Sequence, residues 1–219
     1  MQCYLDMDVL LANLFDTVSQ RLHRKTYSDS SAEDKLVTRM LWEDKKAFLK
    51  RVGGVESLFA NLAPYPTNDI LINKVRRCFG GFFLCSHPAK IDRDGCIKGK
   101  LSWIGEHVVK DHGEGFLGVT FPSKKEEYAV GPKGEPNLLI DDFQPYIDAW
   151  RDKGGVAIRI RSDRFSNREE FASFLDEKFE EAGIVDPSLS ISRRRGLSKG
   201  TKKSKAVKET KRRSVVDCL

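Results

Sequence analysis

Short apolar runs alternate along the chain with stretches of helical periodicity, the pattern of βαβ units around a mostly parallel sheet. Predicted strands cover Cys3 to Asp6, Gly81 to Cys85, Phe116 to Phe121, Asn137 to Asp141 and Gly155 to Arg161. Predicted helices cover Lys100 to Lys110, Gln144 to Lys153 and Asn167 to Ala182. Between the first two strands, from about 16 to 77, the signals are only helical. They include "SAEDKLVTRMLWEDKKAFLKRV" and "TNDILINKVRRCF", broken by "LAPYPT". A parallel crossover needs only about a dozen residues, so this one carries an inserted helical subdomain.

The length of 219 residues suits one sizeable domain with a modest insert. With 40% apolar and 32% charged residues the chain reads as globular. No apolar run approaches the roughly 18 residues of a membrane helix, and the acidic start does not resemble a signal peptide. Five cysteines, odd in number and without metal-type spacing, point to a reducing compartment, and the cytoplasm is expected.

The net charge of +6 is unevenly divided. Residues 191 to 219 hold eleven Lys or Arg against Glu209 and Asp217, a surplus of +9, which leaves −3 for the remainder. This tail lacks aromatic residues and any lasting apolar period, so disorder is expected of it in isolation. Its charge suggests sequence-independent binding to nucleic acid. Cys218 lies next to last and does not fit a prenylation box.

In open α/β sheets, ligands bind beyond the carboxyl ends of the strands. Asp6 and Asp8 follow the first strand, and Ser86 and His87 the second. Lys124 and Lys125 come shortly after the third, and Asp141 with Asp142 end the fourth. Taken singly, most of these have ordinary readings. Asp8 caps the next helix, Asp141 and Asp142 terminate a strand, the two lysines are a solvated pair, and Ser86 is a turn residue. Asp6 is harder to dismiss, because a charge at the last strand position is costly unless something pairs with it. A divalent cation is one such partner. Acids for a cation, with a hydroxyl and lysines for an anion, suggest a phosphate site built on Mg²⁺.

Four pieces, in this order, resemble motifs of the haloacid dehalogenase (HAD) superfamily of phosphohydrolases, and within it the 5'(3')-deoxyribonucleotidase family with its bacterial and phage-encoded members. "YLDMDVLLANLF" resembles the first motif, DMDGVLADF. "FFLCSHP" followed by "GCIKGKLSWIGEHV" is similar to the second motif and the helix after it. "SKKEEYA" is similar to the lysine-bearing third, and "NLLIDDFQPYIDAWRDKGGVAI" resembles the fourth. The resemblance runs from residue 1 to about 161 and is patchy in the insert.

The resemblance implies a HAD-like parallel sheet with a helical cap. Residues 1–15 and 78–185 would form the catalytic core, 16–77 the cap and 186–219 the basic tail. It implies Asp6 as nucleophile toward phosphorus and Asp8 as general acid, then base. Asp6, the Asp8 carbonyl and Asp141 would ligate Mg²⁺, with Asp142 adjusting the site. Ser86 and Lys100 would contact phosphate, as would one of Lys124 and Lys125, with Lys125 favoured by its distance to Tyr128 and Ala129. His87 stands where a small hydroxyl residue is common, and either contacts substrate or faces water. In the cap, Trp42, Phe48 and Phe59 either stack on a base or pack the cap's own core.

Two positions depart from the pattern, and the first of them bears on rate. Val9 replaces the glycine after the second aspartate, and a β-branched residue resists a positive φ. Asn13 replaces an aspartate. The expected function is hydrolysis of (deoxy)nucleoside 5'-monophosphates with Mg²⁺. The alternatives are a phosphatase of nucleic-acid ends or of another small phosphoester, and a weakened fold serving as a nucleic-acid- or partner-binding module. No residue pattern specifies an oligomeric state.

Overall fold

The computed structural model describes residues 1–187, except the side chains of Leu41, Trp42 and Lys45. The basic tail expected at 186–219 therefore lies almost wholly outside the described residues, as does the side chain of Trp42. Residues 1–186 form one compact unit.

In chain order, strand β1 (Cys3–Leu5) leads through the aspartate turn to β2 (Ala12–Asn13) and helix α1 (Leu14–His23). Then come α2 (Ala32–Glu43), α3 (Lys45–Val52), α4 (Val55–Ala60), β3 (Ala63–Pro64) and α5 (Asn68–Phe79). β4 (Phe82–Cys85) precedes α6 (Arg93–Ile104), which continues through a π-helical turn (Gly105–Val109) into α7 (Lys110–His112). β5 (Phe116–Thr120), β6 (Leu138–Asp141), α8 (Gln144–Asp152), β7 (Val156–Arg159) and α9 (Arg168–Glu181) complete the unit.

Five strands form a parallel sheet in the order β5-β4-β1-β6-β7, so β1 is central. Its residues are all buried, as expected of a strand covered on both faces. Because side chains alternate across a strand, Cys3 and Leu5 join the larger core with Leu138, Ile140 and Leu84. Tyr4 joins Leu139, Cys85, Ile147 and Trp150 in the second core. α8 seals that second face. The Trp150 indole donates to the Asn137 carbonyl at 3.0 Å, and Gly155 leaves it room, since a Cβ there would stand 2.2 Å from Nε1. On the larger core, α9 contributes Phe171, Leu175 and Phe179, and α5 contributes Leu71, Ile72 and Val75.

The expected strands are all present, trimmed by one to three residues. α6 begins well before Lys100. Gly95 and Gly99 suppress the helical signal there, yet Asp92 caps the helix by accepting from Gly95 N–H at 2.9 Å. Gly99 lets α6 approach α4, because a Cβ on it would meet the Glu56 carbonyl at 2.4 Å. The long crossover also holds an antiparallel pair, β2 with β3. Two-residue strands are too short for periodicity to reveal. Phe48 and Phe59 are buried in the larger core. Among the described residues, no helix is long and apolar enough to cross a membrane, and Cys3, Cys78, Cys85 and Cys96 are free thiols.

Candidate active site

The carboxyl ends of β4, β1 and β6 are neighbours, and the charged residues beyond them converge there. Asp6 continues β1 by donating its N–H to the Ile140 carbonyl at 2.9 Å, which fixes it beside β6. Asp141, the last residue of β6, is fully buried, and Asp142 beside it is half-buried. Asp6, Asp141 and Asp142 each offer a carboxylate oxygen within 4.8 Å of the others.

Two buried lysines reach the polar residues at these strand ends. Lys125, from the 3-10 turn Lys125–Tyr128, places Nζ 2.6 Å from Asp6 Oδ1 and 2.6 Å from Asp141 Oδ2. Its ammonium also lies 4.7 Å from the centre of the Tyr146 ring. Lys100, on α6, donates to Asp8 Oδ2 at 2.7 Å, to Ser86 Oγ at 2.8 Å and to the His87 carbonyl at 3.2 Å. The Phe59 ring covers it at 4.9 Å. Lys124 is exposed, so of the two adjacent lysines it is Lys125 that joins the carboxylates. Ser86 is held by its N–H donating to the Thr120 carbonyl at 3.1 Å.

Charge and burial shift the titrating groups. Burial first, then repulsion from Asp6, pushes Asp141 up to about 6, against the attraction of Lys125. Burial, then Asp6 and Asp141, pushes Asp142 up to about 7. Asp8 is raised by burial, with Lys100 opposing. Burial works against the Lys125 ammonium, but Asp6 and Asp141 overcome it and raise its pKa. His87 is lowered, by burial and then by Lys125, Lys90 and Lys100, and so is predominantly neutral at pH 7.

The three carboxylates carry more negative charge than Lys125 offsets, and a hard cation with oxygen ligands answers that surplus. Mg²⁺ takes oxygen ligands in octahedral geometry at roughly 2.0–2.1 Å, and Asp6, Asp141 and Asp142 each bring a carboxylate oxygen to one small region. By its chemistry this donor set could hold a hard divalent cation such as Mg²⁺. Two buried polar atoms in the same region, Asp8 Oδ1 and His87 Nδ1, have no hydrogen-bond partner. Buried polar atoms are costly when unpaired, so both are candidates for contact with a polar ligand.

Val9 has φ of +61° and is buried. The turn thus takes the left-handed backbone expected of a glycine, with a β-branched residue in place. Such a conformation costs on the order of 1–3 kcal/mol and persists only where the surroundings over-determine it. Asn13 caps α1 by accepting from Asp16 N–H at 3.0 Å, so the substituted residue does a local structural task.

Sequence reasoning missed several neighbours of the site. Tyr146, which covers Lys125, read only as an apolar helix position, and Phe59, read as a base-stacking or cap-core residue, was not expected over Lys100. Ser162 and Asn68, which grip the aspartate turn, belong to no motif.

No protein-family model and no curated protein sequence matches this chain. Solved structures do resemble it. A HAD-family hydrolase from Deinococcus radiodurans R1, with bound phosphate and sodium, has a TM-score of 0.50 at 13% identity, covering 85% of this chain and 97% of that one. A hydrolase from Streptococcus pneumoniae TIGR4 gives 0.46 at 16% identity, covering 80% and 97%. L-2-haloacid dehalogenase from Xanthobacter autotrophicus gives 0.47 at 12% identity, covering 77% and 79%. The chain has an α/β fold of the HAD type.

Proposed function

We propose that this protein is a Mg²⁺-dependent phosphomonoesterase that hydrolyses (deoxy)nucleoside 5'-monophosphates. The observation that carries the reading is the convergence of Asp6, Asp8, Asp141 and Asp142 with Lys125, Lys100 and Ser86 at adjoining strand ends. Asp6 attacks phosphorus, the bond from phosphorus to the leaving oxygen breaks, and Asp8 gives that oxygen a proton. Water then attacks the aspartyl-phosphate, Asp8 takes its proton, and Asp6 is released with inorganic phosphate. Asp6, the Asp8 carbonyl and Asp141 would hold Mg²⁺, with Asp142 beside them. When bound, the ion neutralises negative charge on phosphate and nucleophile.

The chain's own residues do the positioning on which phosphoryl transfer depends. Lys100 and Ser86 form a donor pair for phosphate oxygens, and Lys125 keeps the nucleophile from repelling the dianion. His87 adds a neutral ring nitrogen. Residues 16–77 act as the cap over the core at 1–15 and 78–185, excluding water and shaping specificity. The phosphate bound to the Deinococcus structure is in keeping with this chemistry. A cytoplasmic setting belongs to the same reading, supported by the scattered cysteines.

The +9 tail favours a second reading, a phosphatase of nucleic-acid ends. The strained Val9 favours a third, a weakened fold that serves as a binding module. Phosphate release from a panel of nucleotides, sugar phosphates and 5'-phosphorylated oligonucleotides, with Mg²⁺ and with EDTA, decides among them. Release from mononucleotides with Mg²⁺ alone is expected. Release from oligonucleotides only, or from nothing, would sink the first reading.

A further inference from the structure

The turn carrying both aspartates is gripped from outside by side chains of distant segments. Ser162, buried in the turn after β7, donates from Oγ to the Leu10 carbonyl at 2.6 Å. Asn68, at the start of α5, donates from Nδ2 to the Leu11 carbonyl at 2.7 Å, and Tyr65 N–H reaches that same carbonyl at 3.0 Å. Leu10 and Leu11 are themselves fully buried. Their carbonyls belong to the two residues directly after Val9. Within the turn, Val9 N–H donates to the Ala12 carbonyl, and the N–H groups of Leu11 and Ala12 both donate to the Met7 carbonyl.

A valine left to itself leaves the left-handed region. Doing so here would turn the following peptides away from Ser162 and Asn68, leaving buried groups unpaired. The two grips therefore oppose the relaxation that Val9 favours, and the carboxylates at stake lie one and three residues before it. We propose that Ser162 and Asn68 are positioning residues that lock Val9 at positive φ and thereby keep Asp6 and Asp8 aligned for reaction. The consequence for turnover rests on the phosphatase reading, whereas the lock itself does not.

The test is a double-mutant cycle in the full chain: wild type, Ser162→Ala, Val9→Gly and the pair together. Two quantities are read for each protein, amide hydrogen exchange at Leu11 and Ala12, and kcat and KM for Mg²⁺-dependent phosphate release. Beside Val9, Ser162→Ala is expected to speed exchange about tenfold and to lower kcat by a similar factor with little change in KM, the loss of one buried hydrogen bond. In the Val9→Gly background both effects should shrink to about twofold or less, because glycine needs no lock. Equal effects in both backgrounds would make Ser162 merely structural and overturn the proposal. If none of the four proteins releases phosphate, the phosphatase reading fails and the exchange data still decide the lock. Should Ser162→Ala fail to fold, the same cycle with Asn68→Ala replaces it, and the same two outcomes apply.

Discussion

Lys125 Nζ stands 2.6 Å from Asp6 Oδ1, and it reaches Asp141 at the same distance, so one buried cation ties together two strand ends. Lys125→Met removes that cation and leaves two buried carboxylates facing each other. Breaking a buried pair this way costs about 3–5 kcal/mol. Thermal unfolding in EDTA should therefore show a large loss of stability, and phosphate release should fall by about two orders of magnitude or more. Lys124→Met, at the exposed neighbour, should lie close to wild type in both. Similar losses from the two changes would refute the assignment of Lys125.

Asp6→Asn tests the nucleophile. The variant keeps the size of the side chain and removes one negative charge from a crowded group, so its fold should survive and, without metal, gain stability. Turnover should be abolished, because an amide oxygen is a poor attacking group. Wild type in EDTA should be equally inactive. Full activity in EDTA, or in the Asn variant, would end the mechanism proposed here.

Much of this arrangement was legible in the sequence because its strands are short, apolar and buried on both faces, and because polar chemistry collects where such strands end. Asp6 stood out as a charge with no local reason to be there. Lys125 and Lys124 stood side by side with equal chemistry, and only the distance to Tyr128 and Ala129 favoured Lys125; in three dimensions Lys125 faces the carboxylates and Lys124 is exposed. Ser162 and Asn68 were not legible at all. A hydroxyl or amide that meets a carbonyl 152 or 57 residues away leaves no local period, spacing or motif. The early start of α6 was hidden for a different reason, as Gly99 lowers helix propensity but serves the packing against α4.

Val9→Gly sets two opposing terms against each other. Relief of the positive φ returns on the order of 1–3 kcal/mol, while removing a buried valine side chain forfeits about 1.5–3 kcal/mol. The net change in stability should be small, within about 1–2 kcal/mol by chemical denaturation. Turnover should rise, because the carboxylates then rest on an unstrained turn. A fall in rate would mean that the valine side chain itself is needed to shape the turn.

Lys74 anchors the end of the compact unit. Buried on α5, it lies 2.6 Å from Asp176 on α9 and 3.1 Å from Asp186, which Arg77 also approaches at 3.1 Å. Lys74→Met leaves the buried Asp186 short of one cation, so a loss of about 3 kcal/mol is expected in denaturant unfolding, with KM unchanged. Asp186→Asn in the same protein should recover part of it. No recovery would place the cost in lost packing instead of charge.

The tail should bind polyanions and take no part in chemistry. Its eleven lysines and arginines follow "VDPSLS", where proline and serine interrupt the helical pattern, and Val185 and Asp186 close the unit that holds the candidate site. Clustered lysines and arginines pair with phosphates without reading bases, so affinity should ignore sequence and fall steeply with salt as counterions are released. Deletion of residues 191–219, followed by nucleotide hydrolysis and by DNA and RNA binding at two salt concentrations, separates the two roles. Hydrolysis of free nucleotides should persist while polyanion binding largely disappears. If 5'-phosphorylated oligonucleotides are substrates, their KM should rise on deletion and that of mononucleotides should not. A collapse of mononucleotide hydrolysis would show that the tail reaches the carboxylate cluster, and the division of the chain into core, cap and tail would have to be redrawn.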